Sequence, residues 1–121
     1  MRDFRQLTVW EQAHQLVLSI YRVTGEFPKH ELYGLTSQMR RCRASIAANI
    51  AEGCGRTGNG DLHRFLSTAR GSAAELEYFL LLSRDLGLVR DSYEELNSQT
   101  QLVQRMLASL IRRVEVARVR S

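Results

Sequence analysis

Residues 52–61 read Glu-Gly-Cys-Gly-Arg-Thr-Gly-Asn-Gly-Asp, and Gly53, Gly55 and Gly58 complete a G-x-G-x-x-G within them. Glu75 and Glu77 follow about twenty positions on, where a dinucleotide-binding fold wants an acid. That fingerprint works only where a strand feeds a tight glycine turn into a helix whose amides face a pyrophosphate. Here the residues before Gly53, Ala44-Ser45-Ile46-Ala47-Ala48-Asn49-Ile50-Ala51-Glu52, have a helical pattern, and no strand-like alternation occurs anywhere in the chain. A P-loop fails as well, since Gly58 is followed by Asn59-Gly60 rather than by lysine and a hydroxyl residue. The glycine run reads as a connection between two helices.

Working outward, the residues before the run make a second helix from about Leu35 to Glu52, with Gly53 as its stop. Its seam is Leu35, Met39, Cys42, Ile46, Asn49 and Ile50, spaced by fours and threes. A third helix starts near Asn59 or Asp61, carries Leu62, Phe65, Leu66, Ala69, Ala73, Leu76 and Leu80 on one face, and closes at Gly87. Upstream, Thr8-x-x-Glu11 reads as a capping box for a first helix. That helix holds Val9, Ala13, Leu16, Val17, Ile20 and Tyr21 on its seam, with Gly25 as a left-handed stop before Phe27-Pro28. Downstream, Asp91-x-x-Glu94 caps a fourth helix with a coiled-coil-like seam of Leu96, Thr100, Val103, Leu107, Leu110, Val114 and Ala117. Four amphipathic helices with short connections imply an all-α, up-down-up-down antiparallel four-helix bundle.

The bulk numbers agree. A chain of 121 residues, 44% hydrophobic and 25% charged, suits a single domain over residues 1–121, and its one proline, Pro28, and few aromatics favour helix over sheet. The start of the chain has charges where a signal peptide needs an apolar run, and no stretch approaches about eighteen apolar residues. Cys42 and Cys54 would sit roughly 16–18 Å apart on one helix, too far for a disulfide. A reduced, cytoplasmic protein without membrane association is expected.

Catalytic and metal chemistry find little support. Glu11-Gln12-Ala13-His14 supplies one Glu-x-x-His pair, but a di-metal bundle needs a second pair and two more inward glutamates. His30 and His63 fall in or beside turns. Cys42 lies on an apolar seam, and Cys54 sits in the glycine connection with no histidine near it in sequence. The expectation is a non-enzyme with no cofactor and no metal.

Charge is more informative. Of 17 basic residues all but Lys29 are arginine, and the formal net charge is +4. Residues 32–60 hold four arginines (Arg40, Arg41, Arg43 and Arg56) against Glu52 alone, and residues 105–120 hold five against Glu115. Between them, residues 74–95 carry six acids against two arginines. Arginine forks match phosphate, so Arg40, Arg41, Arg43 and Arg56 are candidate contacts to RNA or DNA. The alternative is a protein–protein adaptor or structural ring in which these arginines meet acidic patches of neighbouring subunits. For Arg112, Arg113, Arg118 and Arg120, the negative end of the fourth helix offers an equal explanation.

Self-association is expected on two grounds. Tyr78-Phe79-Leu80-Leu81-Leu82 is too broad an apolar band for one helical face, so Tyr78, Phe79, Leu81 and Leu82 are candidate interface residues. Ala44, Ala47, Ala48 and Ala51 would let another helix approach closely. Asn49, the polar residue on the second helix's seam, is a candidate for fixing register between subunits.

Several segments resemble a known family. Phe4-x-x-Leu7-x-Val9-Trp10-x-x-Ala13 is followed by Phe27-Pro28-x-x-Glu31-x-Tyr33-Gly34-Leu35-x-x-Gln38-Met39-Arg40-Arg41, then by Ser45-Ile46-x-x-Asn49-Ile50-Ala51-Glu52-Gly53 and Arg56. Phe65-Leu66-x-x-Ala69-x-Gly71-Ser72, Glu75-Leu76 and Leu86-Gly87 continue the match. Over the first three quarters of the chain this resembles the small bacterial four-helix-bundle proteins encoded in intervening sequences of 23S rRNA genes; the fourth helix agrees in pattern only. Cys42 departs from the alanine expected there. The resemblance implies an up-down bundle, commonly a ring-shaped homopentamer, with no known catalytic activity. Relatives include accessory proteins of diversity-generating retroelements, which form basic pentamers that contact a reverse transcriptase and nucleic acid.

Overall fold

A computed structural model describes residues 3–120. Four helices dominate it: α1 (Thr8–Thr24), α2 (Ser37–Cys54), α3 (Asn59–Asp85) and α4 (Tyr93–Arg120). No strand occurs among the described residues. Each helix packs on its neighbours in sequence, and α1 also packs on α4, which closes the ring of four around one core.

The apolar spacing forms that core. Leu16 and Ile20 of α1, Met39, Ile46 and Ile50 of α2, Leu66, Leu76 and Leu80 of α3, and Val103 and Leu107 of α4 are all fully buried. Removing side chains of this size from water is the main favourable contribution to the fold. Two buried hydroxyls on the seams are satisfied locally. Thr24 Oγ1 donates to Ile20 O at 2.7 Å and Thr100 Oγ1 to Leu96 O at 2.8 Å, so neither interrupts the seam.

The helix ends differ from the sequence expectations. Leu7, with extended backbone, is the residue capping α1, and no side chain makes a capping bond there. A short 3-10 turn at Phe4–Gln6, capped by Asp3, brings the chain in one residue early and leaves Thr8 inside the first turn, so the Thr8–Glu11 box does not form. Gly25 is right-handed at φ −62°, not a left-handed stop. The chain leaves α1 through successive tight turns, with Glu26 N donating to Val23 O and Phe27 N to Thr24 O. Regular α2 begins at Ser37, two residues late, after a widened turn over Leu32–Thr36 that kinks at Gly34. At α4, Leu96 N donates to Ser92 O, which makes Ser92 rather than Asp91 the capping residue. Gly87 does behave as expected, with φ +77° just beyond α3.

The opening glycine run divides. Gly53 and Cys54 belong to α2, Gly60 to the first turn of α3, and only residues 55–58 connect the helices. Gly53 is buried because α3 presses on it: a Cβ at this position would lie 3.1 Å from both Leu62 Cδ1 and Phe65 Cβ. It sets the α2–α3 approach and does not stop α2. Cys54 is likewise buried in the last turn of α2, contrary to a place in an open loop, and neither cysteine forms a disulfide.

Candidate nucleic-acid interface

One turn of α-helix advances about 100° per residue, so Arg40 and Arg43 share a face of α2 while Arg41 points elsewhere. The structure separates them accordingly. Arg41 turns to α3, where its Nη2 meets Glu75 Oε2 at 3.0 Å, and it also bonds Gln38 Oε1. Arg56 pairs with Glu52 at 2.7 Å and lies over the Phe65 ring at 5.1 Å. Both ion pairs are about half exposed and contribute at most about 1 kcal/mol each.

Arg40 and Arg43 face α1. Their guanidinium carbons lie 4.5 Å and 5.0 Å from the centre of the Tyr21 ring. Arg40 Nε donates to Thr24 Oγ1 at 3.0 Å, which anchors its stem to the end of α1. Arg43 Nε is buried without a hydrogen-bond partner. No acid pairs with either guanidinium among the described residues. Burial pulls the Arg43 pKa down from its usual value, and repulsion from Arg40 adds to that. Even so, an arginine stays charged at any physiological pH. Tyr21, expected on the core seam, is instead 55% exposed and serves as the platform for both cations. Arg22, beside it, is exposed and bonds Ser19 Oγ at 3.4 Å. The result is a basic, aromatic-centred patch with no internal counter-charge.

The other candidates sit elsewhere. Tyr78, 58% exposed, and Leu81 face outward from α3, while Phe79 and Leu82 pack against the core. Tyr78 and Leu81 border a shallow groove between α3 and α4, shared with Ala74, Glu77 and Gln101. Along α2, Ala44 and Ala48 are exposed, whereas Ala47 and Ala51 are half-buried. Asn49 is half-buried, and its Nδ2 donates to Ser45 O and Oγ at 2.8 and 2.9 Å. Ser45 Oγ in turn lies 2.8 Å from Ser72 Oγ on α3. Asn49 thus feeds a polar link between α2 and α3 of the same chain.

Among the described residues no group of three or more His, Cys, Asp or Glu side chains could hold a metal ion. His14 stacks on Trp10 with the rings nearly parallel at 5.0 Å, and His63 Nε2 meets Glu115 Oε2 at 3.1 Å. The Cys42 thiol is pushed up in pKa, first by burial and then by Glu75, which keeps it protonated. No helix among the described residues is long and apolar enough to cross a membrane.

A likeness in fold and sequence extends to proteins already grouped together. The crystal structure, at 1.70 Å, of a protein of unknown function from the S23 ribosomal protein family of Bacteroides thetaiotaomicron VPI-5482 superposes with a TM-score of 0.78. It shares 25% identity, and the match covers 86% of this chain and 95% of that one. No curated protein matches. The family model described as 23S rRNA-intervening sequence protein matches residues 5–109, and so reaches through the first half of α4. With that span covering α1 to α3 and the first half of α4, the chain belongs to the 23S rRNA-intervening sequence protein family.

Proposed function

We propose that this is a non-enzymatic, cytoplasmic four-helix-bundle protein that assembles as a homo-oligomer and binds RNA or DNA through phosphate contacts centred on Arg40 and Arg43. One observation carries the reading: two guanidiniums share the Tyr21 ring with no carboxylate to neutralise them. Holding like charges together costs free energy, and a phosphate backbone is the partner that offsets it, with counterion release adding to affinity. The exposed Tyr21 ring can also stack on an unpaired base. Arg41 and Arg56 take a lesser part, because each already has an acid partner.

Self-association draws its support from Tyr78 and Leu81, exposed beside the α3–α4 groove. The ring-shaped homopentamer is the assembly that the family resemblance favours. The adaptor reading has its own support in the same apolar band, which would serve a partner protein equally well.

The test is fluorescence anisotropy with a labelled structured RNA and a matched DNA duplex across a salt series, with particle size followed by light scattering. Wild type is compared with the Arg40→Ala/Arg43→Ala variant and with Arg41→Ala. Salt-sensitive binding that is lost in the double variant at unchanged particle size is the expected result. Failure of the wild type to bind either probe at low salt removes the nucleic-acid reading and leaves the adaptor.

A further inference from the structure

Where α1 ends and α2 begins, the chain frames a half-open pocket of about 190 Å³. Arg40 and Lys29 bring two positive charges to its lining, and Phe27, Pro28 and Leu32 supply apolar walls. Glu26 and Glu31 lie in the same connection but do not line the cavity, and neither cation has an ion pair among the described residues. Thr36, the remaining residue that matters, is only 3% exposed, and its Oγ1 has no hydrogen-bond partner.

The orphaned hydroxyl has a local cause. A threonine preceding a helix ordinarily has extended backbone and caps a free amide of the first turn. Here the widened turn over Leu32–Thr36 runs straight into α2, so Thr36 is itself helical at φ −55°, ψ −50°, and makes no capping bond. A buried hydroxyl without a partner is costly; Thr36 lines the pocket but its oxygen is itself covered, so a ligand oxygen reaches it by rotation of the threonine side chain toward the pocket. Arg40 has the matching groups to spare. Its Nε is engaged by Thr24, while Nη2 lies 3.9 Å from where a Cβ on Gly25 would stand.

We propose that this cavity binds a dianionic phosphate monoester, held by Arg40, Lys29 and the Thr36 hydroxyl. A monoester carries about −1.5 to −2 at neutral pH, which balances two cations, whereas a phosphodiester inside a strand carries one charge. The phosphate could be the 5′ end of an RNA strand or belong to a small phosphorylated metabolite. The site goes beyond the patch on Tyr21 and shares only Arg40 with it, so Lys29 and Thr36 provide the test.

Full-length protein is titrated by anisotropy with one RNA oligonucleotide carrying either a 5′-phosphate or a 5′-hydroxyl, and by calorimetry with ribose 5-phosphate. Thr36→Val removes the unpaired hydroxyl at nearly constant shape. Lys29→Gln alters an exposed side chain that the fold does not need. If the phosphate comes from RNA, the 5′-phosphate strengthens binding about 10-fold, and each variant brings the ratio of the two RNAs close to one. If it comes from a metabolite, ribose 5-phosphate binds and both variants weaken it. Should 5′-hydroxyl RNA not bind while ribose 5-phosphate does so in a Lys29-dependent way, the nucleic-acid reading falls and the cavity proposal stands. The proposal is overturned if neither probe responds to its phosphate, or if Thr36→Val and Lys29→Gln both leave that response intact.

Discussion

On the α3 side of α2, Arg41 reaches Glu75 at 3.0 Å and its charge is answered within the chain. On the α1 side, Arg40 and Arg43 crowd one tyrosine and meet no carboxylate among the described residues. The same residue type, one and two positions apart, thus does opposite things. An arginine with an internal partner mostly solvates the surface. Two without one create a standing positive potential that only an external anion can relieve.

The largest expected effect breaks this contrast outright. Arg40→Ala/Arg43→Ala should weaken RNA binding by about 100-fold and flatten the log K against log salt slope by about 1.5, while Arg41→Ala changes affinity less than about 3-fold. Equal losses from both would mean that internal pairing does not matter, and anisotropy across a salt series measures them. Next in size is a sign difference at one residue. Arg43→Met removes a desolvated, partly unsatisfied cation, so it should leave stability unchanged or raise it by up to about 1 kcal/mol in chemical denaturation. Its RNA affinity should fall nonetheless; a variant losing both stability and binding would point to a structural role.

A second pair of sites extends the comparison to the glycines of α2 and α3. Gly53→Ala places a methyl against Leu62 and the Phe65 stem, and overpacking should outweigh the helix gain for a net loss of about 1 kcal/mol. Gly71→Ala, with nothing within 4 Å, should instead stabilise by about 0.5–1 kcal/mol. Thermal melts of the two variants moving in the same direction would refute the close-packing role of Gly53. The smallest effect concerns the thiols. Cys42 and Cys54, both buried, should resist alkylation at neutral pH until the protein unfolds, as mass spectrometry with and without denaturant would record.

Most of the architecture could be read from the chain because steps of three and four mark a buried seam whatever the surroundings. Leu35, Met39, Cys42, Ile46 and Ile50 are buried as spaced, and so are Leu62, Leu66, Ala69, Ala73, Leu76 and Leu80. Misreadings cluster where a residue type has two uses. Gly53 has the composition of a stop and the function of a spacer, which only the position of Leu62 and Phe65 reveals. Thr8 fits a capping box by spacing, but the turn at Phe4–Gln6 shifts the cap to Leu7. Among the arginines, the 100° rotation per residue already separates Arg41 from Arg40 and Arg43. Which side holds a carboxylate depends on Glu75 of α3, 34 residues further along the chain from Arg41, about 110–120 Å away if that stretch were fully extended. Periodicity places Tyr21 on the core seam, and its platform role depends on two cations from another helix.

The close α2–α3 approach at Gly53 also bears on how the chain folds. Residues 55–58 are all that must be ordered to bring these helices together, so the entropy of loop closure is small and the hairpin is kinetically accessible. Before α1 can dock, the longer connection over residues 25–36 must settle, including the widened turn ahead of α2. Connection length alone makes a helical hairpin of α2 and α3 the expected nucleus, with α1 expected to dock later. Because Tyr21 belongs to α1 while Arg40 and Arg43 belong to α2, the basic patch exists only after that last docking event. Partly folded chains would carry the arginines without the surface that organises them.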